Sequence, residues 1–459
     1  MIQKKEKISI LFFFAAQIVL AQMMNRMPII ATIHAWGTLA LALVWAFTKP
    51  LPKTAMICAY MTGCEVLWRM NKASILWEFG KYAVCLVMLI SFVKKAPRRP
   101  LLPWLYFLML IPSCFITKAG FEDFDAFRKG ISFNLSGPLA LTISVLFWSR
   151  ISLTKEEFHK MIIMLVGPIV GIASIAAYKI HAATELVFGT ESNVMTSGGF
   201  SPNQVSGMLG LGVLLLFFYL MGQKKGKSKL VIFTVMIWLA IQSALTLSRG
   251  GLYGAVIGIL AGSLFLIGSG KTRGKFIFAL LLMGAVYQFI AVPYLNKFSG
   301  GAVSDRFQKT KMTGREELME IDMQLWKDNP LFGVGAGQSV YFHTLGEHAK
   351  IASHTEFTRL LAEHGSFGIL AILMLVLMAI SFLQRARNAP NKAFAAAIIC
   401  WVFSYMVTAA MRIMAPSFIF GLGAATLLPE QPPFYPKFYP KPPPPHPLPE
   451  TPFVPPVRP

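Results

Sequence analysis

The sequence predicts an all-α polytopic membrane protein with about 12–14 transmembrane helices. Three observations predict this class. Hydrophobic residues make up 55% of the chain and charged residues only 14%, where a soluble domain carries roughly a quarter charged residues. Apolar runs near the ~20 residues that cross a bilayer as helix recur along most of the sequence. Counted as spans, those runs put every strongly basic short loop on one side of the membrane, as cytoplasmic loops are.

In chain order the runs lie near 8–24, 29–48, 54–69, 79–94, 101–117, 131–149, 159–181, 204–222, 229–247, 250–268, 275–294, 367–385, 393–410 and 413–428. The first follows a basic KKEK start that resembles a signal peptide. More spans follow it, so it reads as an uncleaved cytoplasmic anchor. The runs at 54–69 and 79–94 are short enough to be tilted or broken. With the N-terminus inside, the inner segments hold 25 of the 43 Lys and Arg residues. A wrong parity of spans would scatter those charges. The same rule accounts for the formal net charge of +22. Aromatic and basic residues do not interleave as they do in RNA-binding segments, so no nucleic-acid partner is expected. All five cysteines lie in apolar runs, with neither a disulfide framework nor metal-ligand spacing.

Four regions follow. Residues 1–294 form an N-terminal transmembrane bundle. Residues 295–366 form the one long polar loop, expected outside, with two short helices. Residues 367–428 return to the membrane. Residues 429–459 hold 15 of the 29 prolines and read as a disordered, polyproline-like cytoplasmic tail. The long loop carries 8 Lys/Arg and 9 Asp/Glu, so it has no bulk field for anions. An anion site there must come from particular residues.

Three residues stand out. In TGREELMEIDMQLWKDNP, Thr313 and Glu316 form a T-x-x-E capping box, apolar residues follow at helical spacing, and Asn329-Pro330 ends the helix. Arg315 then falls in the first turn, where a cation opposes the helix dipole. A residue that breaks a local rule is a functional candidate, though a lone arginine is also commonly just solvated. In SHTEFTRLLAEHG, Ser353 and Glu356 form a second box and Gly365 a stop, which puts His354 at the first helical position. The positive end of the dipole there keeps imidazole neutral and fit to accept a proton. Sequence physics equally allows a histidine that caps or packs. Arg249, in LSRGG, falls at an outer hairpin where charge is costly and often functional, or where an arginine merely snorkels to headgroups. Two guanidinium forks clamp a diphosphate, and a neutral histidine deprotonates an attacking hydroxyl.

Other signals are weaker. GVGAG (333–337) reads as a flexible turn, since no strand–helix unit surrounds it. The D-x-D of Asp123 and Asp125 is a chance-prone metal motif. Glu65 and Arg69 are spaced as a helix ion pair, and His34 lies mid-span as a packed residue.

Together, GGFSPNQVSGMLG (198–210), LSRGG (247–251), GREELMEIDMQLWKDNPLFGVGAG (314–337) and SHTEFTRLLAEHGSFGIL (353–370) resemble the O-antigen ligase/O-antigen polymerase family of bacterial envelope enzymes. The resemblance spans about residues 198–385. It implies a metal-independent, GT-C-like membrane glycosyltransferase without cofactor. Its donor would be a glycan on undecaprenyl diphosphate, and its active site would face the periplasm from the inner membrane. By position, Arg249 and Arg315 match the family's diphosphate-contacting arginines and His354 its essential histidine. Glu363, Thr355 and Arg306 are the expected supporting residues. The family commonly has His-Asn where this chain has His354-Thr355, which touches acceptor identity more than chemistry. The reading is a ligase with lipid A–core as acceptor. A polymerase extending a second lipid-linked glycan, or a protein O-oligosaccharyltransferase, would use a similar donor site. A transporter or flippase would instead place paired charges deep within broken spans.

Overall fold

A computed structural model describes residues 2–94, 100–120, 123–182, 191–192, 194–222, 228–267, 270–308, 315–343 and 351–428. The Pro-rich tail and Thr313 lie outside these. The described chain is helical almost throughout: α1 (Ile2–Arg26), α2 (Pro28–Thr48), α3 (Leu51–Met70), α4 (Phe79–Ile90), α5 (Leu102–Leu108), α6 (Phe124–Trp148), α7 (Lys155–Ala182), α8 (Pro202–Gly222), α9 (Ser228–Leu245), α10 (Arg249–Ile267), α11 (Gly270–Val286), α12 (Val292–Ser299), α13 (Ala302–Gln308), α14 (Arg315–Asp328), α15 (Glu356–Arg385), α16 (Ala389–Thr408) and α17 (Met414–Leu422). Ser152–Leu153 pairs in parallel with Thr426–Leu427 as a two-residue bridge. Among the described residues, nine helices are long and apolar enough to cross a membrane, and shorter apolar helices accompany them. The protein is an all-α polytopic membrane protein.

The expected spans and the observed helices differ where polar or proline-bearing sequence interrupts a run. The run near 101–117 is α5 followed by a short 3₁₀ turn, Pro112–Phe115, because a proline cannot continue the helical ladder. The run near 413–428 is the nine-residue α17, entered through a non-helical break at residues 409–413. The run near 275–294 continues through a π-helical turn, Tyr287–Ala291, into α12. Gly365 ends a helical segment as expected: its backbone is non-helical at φ +58°, and a second helical segment begins beyond it within α15 and runs on as a span. A Cβ there would lie 2.7 Å from the Gly333 nitrogen and the Leu331 carbonyl, so only glycine lets the loop pack at this point.

The core is built from α3, α7, α8, α16 and α17, most of whose residues are buried. Large apolar side chains stay exposed on α2, α10, α11 and α15, for example Phe47, Leu264, Phe278 and Leu373. That distribution fits a ring of outer helices facing hydrocarbon around inner helices facing protein. Close approach of α10 to α16 rests on Gly250, Gly254, Gly258 and Gly262, spaced four apart on one face of α10. A Cβ on Gly258 would come within 2.7 Å of the Ala397 carbonyl, and one on Gly262 within 2.8 Å of the Ala393 carbonyl. Small residues at every fourth position let membrane helices gain backbone-to-backbone dispersion where lipid offers no hydrophobic drive.

Candidate functional site

The turn between α9 and α10 is strained. Leu247 adopts φ +56°, a left-handed conformation that costs a side-chain-bearing residue about 1–3 kcal/mol. What the turn gains is a set of polar contacts. The Leu247 carbonyl accepts from Arg306 Nε at 3.1 Å. The Ser248 carbonyl accepts from Ser206 Oγ at 2.6 Å, and Ser206 Oγ in turn accepts from the Gly251 N–H at 3.2 Å. Ser248 Oγ donates to Asn203 Oδ1 at 3.0 Å, and Arg315 Nη2 donates to the same oxygen at 3.0 Å. Residues from the start of α8, the α9–α10 turn, α13 and α14 are thereby fixed to one another.

These contacts border a cavity of about 620 Å³ lined by Arg249, Arg306 and Arg315, with Ser192, Ser248, Tyr253 and Phe307, and closed on the far side by α16 residues including Phe403 and Thr408. Among the described residues, no carboxylate lines it. Burial lowers the guanidinium pKa of Arg315, and the charges of Arg306 and Arg249 lower it further. Arg306 is shifted the same way by burial and then by Arg249, with Glu191 acting in the opposite sense. Like charges gathered this way repel unless an anion joins them. Arg249 also opens α10, so the positive end of that helix dipole adds to the same field. A second, apolar cavity of about 320 Å³ shares Tyr253 and Phe307 with the first and runs among α8, α9, α10 and α11.

His354 lies beside this centre, but not at the start of a helix as expected. Thr355 is the N-cap of α15, accepting from the Thr358 N–H at 3.2 Å, and the helix begins at Glu356. His354 therefore precedes the cap, and the helix dipole is not the cause of its neutrality. Burial is the main cause, with the Arg315 and Arg412 charges adding to it, and together they push the imidazole down to about 4. Its Nδ1 is buried with no hydrogen-bond partner among the described residues. The segment carrying it is held from one side by Arg412 Nη2, which donates to the Ala352 carbonyl at 3.3 Å and the Ser353 carbonyl at 2.8 Å.

On the other side stands Asp322, seven residues along α14 from Arg315 and hence on the same helical face. Its carboxylate accepts from Ser353 Oγ at 3.2 Å, Thr358 Oγ1 at 2.7 Å and His343 Nε2 at 2.9 Å, while His343 Nδ1 faces the Ile351 carbonyl at 2.7 Å. Burial opposes charge on His343, but the Asp322 hydrogen bond and charge and the Ile351 carbonyl outweigh it, so its pKa is raised. A raised histidine pKa stabilises the fold fully below its unfolded value near 6.5, and that stabilisation is lost as pH rises through the folded value. Thermal unfolding of the detergent-solubilised protein, followed by tryptophan fluorescence, should therefore fall in midpoint as pH rises from neutral to alkaline. In Asp322→Asn the midpoint should be lower near pH 6 and nearly flat over the same range. A wild-type profile as flat as the variant's would show that the pair carries no such linkage.

Sequence reasoning missed Asn203, Asp322, His343 and Arg412 as contributors. Arg412 alone had a signal, a single cation between two apolar runs. The break that carries it is wrapped by buried charge. Glu65 Oε2 accepts from the Met414 N–H at 2.5 Å, Glu356 Oε2 from the Met411 N–H at 3.2 Å, and Arg69 and Lys81 donate to the Arg412 and Met411 carbonyls. The Glu65–Arg69 pair is present at 2.6 Å. Paired charges thus do occur inside α3 and α4, all toward this break.

Glu363 is not drawn into the arginine cavity. It pairs with Arg359 at 2.8 Å and accepts from Ser339 Oγ at 2.7 Å. Asp123 caps α6, and Asp125 pairs with Arg128 and Lys129, so both have structural partners. His34 is packed, contacting Tyr60 Oη and accepting from Trp68 Nε1 at 2.9 Å. GVGAG is a turn with Gly333, Gly335 and Gly337 at positive φ.

Comparison with known proteins gives one match: residues 235–373 fit the family model described as O-antigen ligase, Wzy_C. The matched stretch contains Arg249, Arg306, Arg315, His354 and Glu363. No curated protein matches the chain. Residues 235–373 are thus similar to the O-antigen ligase family.

Proposed function

We propose, with that family as the premise, that this chain is an O-antigen ligase. It transfers polysaccharide en bloc from undecaprenyl diphosphate to a hydroxyl of lipid A–core, at the periplasmic face of the bacterial inner membrane. The observation that carries the reading is the convergence of Arg249, Arg306 and Arg315 in a cavity without a carboxylate among its described lining residues, next to an apolar cavity that shares Tyr253 and Phe307 with it. A diphosphate bound to a long prenyl chain has this division into an anionic head and a hydrocarbon tail. The guanidinium forks match phosphate oxygens, and the apolar groove takes the first isoprene units.

The chemistry follows from the positions. Neutral His354 accepts the proton of the acceptor hydroxyl, and the freed oxygen attacks the donor's anomeric carbon. The bond from that carbon to the diphosphate oxygen breaks, leaving the added negative charge on undecaprenyl diphosphate among the arginines. A diphosphate is already a weak base, so no general acid is needed, and electrostatic stabilisation of the leaving group is the main catalytic task. The arginines supply the charge a metal ion would otherwise bring.

Purified protein in lipid vesicles, given an undecaprenyl-diphosphate-linked glycan and lipid A–core, should form glycosylated lipid A–core and release one undecaprenyl diphosphate per transfer, with or without EDTA. A longer lipid-linked glycan, with lipid A–core left unmodified, would identify a polymerase instead. A tag after residue 345 reachable only from the cytoplasm would overturn the orientation.

A further inference from the structure

Each of the three residues before His354 is held by a charged side chain. His343 Nδ1 stands 2.7 Å from the Ile351 carbonyl. Arg412 Nη2 donates to the Ala352 and Ser353 carbonyls, and Ser353 Oγ donates to Asp322 Oδ1 at 3.2 Å. His343 Nε2 meets that same Asp322 oxygen at 2.9 Å, and Thr358 Oγ1, in the first turn of α15, donates to the other at 2.7 Å. Asp322, His343 and Ser353 are all buried. His343 therefore spans from α14 to backbone three residues ahead of His354. Its two partners fix its proton count. A carbonyl oxygen and a carboxylate oxygen only accept, whereas a neutral imidazole has one N–H and one lone pair. A neutral ring would turn its lone pair on one of the two oxygens. Imidazolium donates to both.

We propose that His343, as imidazolium, and Asp322 are positioning residues for His354: together they tie residues 351 and 353 to α14 and so set where the base stands relative to Arg315 on the same helix. The proposal rests on the proton-acceptor role given to His354 above. Neither residue lines the arginine cavity, so both act through the segment they hold. Burial opposes charge on His343, but Asp322 from α14, the Ile351 carbonyl and Glu363 from α15 all favour it. Burial, Arg315 and Arg412 keep His354 neutral, and the charge on His343 adds to them. The two histidines thus hold opposite protonation states within one segment. When His343 gives up a ring proton, the ring can serve Ile351 or Asp322 but not both, and the backbone ahead of the base is released on that side. A displacement of about 1 Å at a reacting group costs about 10²-fold in rate.

In the vesicle assay, with release of undecaprenyl diphosphate as the readout, wild-type kcat should fall by about 10–100-fold as pH rises through the His343 transition, on the alkaline side of 6.5. The KM for the lipid-linked donor should stay within twofold, and tryptophan fluorescence should show the protein still folded over that range. His343→Gln replaces one of the two ring N–H groups by an amide oxygen, and Asp322→Asn removes the carboxylate. Each should show the lowered kcat at every pH, with the alkaline limb gone and donor KM unchanged. A residue needed for folding alone would lower the amount of active protein and leave the limb in place. Protonation is read separately from turnover, in the detergent-solubilised full chain carrying ¹⁵N-labelled histidine. The His343 signal, identified by its absence from His343→Gln, should show protons on both ring nitrogens at pH 7, where a free imidazole is mostly neutral. A single protonated nitrogen at pH 7, a wild-type kcat flat with pH, or a limb that persists in both variants would overturn the proposal. Release of undecaprenyl diphosphate is counted whichever acceptor is used. A product other than glycosylated lipid A–core therefore sinks the ligase reading and leaves this test intact.

Discussion

Arg315→Lys loses transfer activity by about 10²–10³-fold, the typical cost of removing one preorganised donor from a developing oxyanion, and keeps its level in the membrane. Lysine preserves the charge, so a purely electrostatic role would be nearly spared. The guanidinium, however, uses one Nη to grip Asn203 while presenting the rest of its fork to the cavity. A lysine cannot do both, because its donors share a single nitrogen. Arg249→Lys should behave similarly. Arg315→Ala adds a second reading. It relieves the repulsion among three clustered like charges, one buried and two half-buried, so the apo protein should unfold at an equal or higher temperature even as turnover is lost. A side chain kept for stability would show the reverse. Turnover within threefold of wild type in both lysine variants would remove the bidentate clamp from the mechanism.

His354→Ala lowers the rate by about 10³-fold, within the range that general-base catalysis contributes, with little loss of stability. The structural bonds of its segment are made by neighbours, Ser353 to Asp322 and Arg412 to the Ala352 and Ser353 carbonyls, and these survive the change. Because the imidazole sits at about 4, it stays neutral and competent through mildly acidic conditions. The rate-versus-pH profile should therefore carry an acidic limb near pH 4 and none near 6.5 assignable to this residue. An acidic limb near 6.5 that disappears in His354→Ala would mean the ring is not held neutral by its surroundings. Near-normal turnover in His354→Ala would exclude it as the base.

The bundle was legible in the sequence because a bilayer imposes one length and one polarity on every span. What could not be read was what holds the interruptions. The gap between the runs ending at 410 and starting at 413 was visible, but not that Glu65, Glu356, Arg69 and Lys81, distant in sequence, supply hydrogen bonds to the freed backbone of residues 411–414. Arg249 and Arg315 were visible as local anomalies, cations where helix starts or membrane depth disfavour them. The cap of α15 was misplaced because Ser353 and Thr355 both precede plausible helical residues. Burial of Ser353 against Asp322 decides between them, and that is a tertiary fact. The Asp322–His343 pair joins α14 to a loop beyond it, with no periodicity to announce it.

α14 has a last consequence. It carries Arg315 at one end of a face and Asp322 two turns on, so a rigid rod links the leaving-group clamp to the support of the base. Their relation is one of rotational phase. One residue inserted between them would swing the arginine by about 100° around the axis relative to the aspartate, uncoupling the two halves of the reaction while leaving each intact.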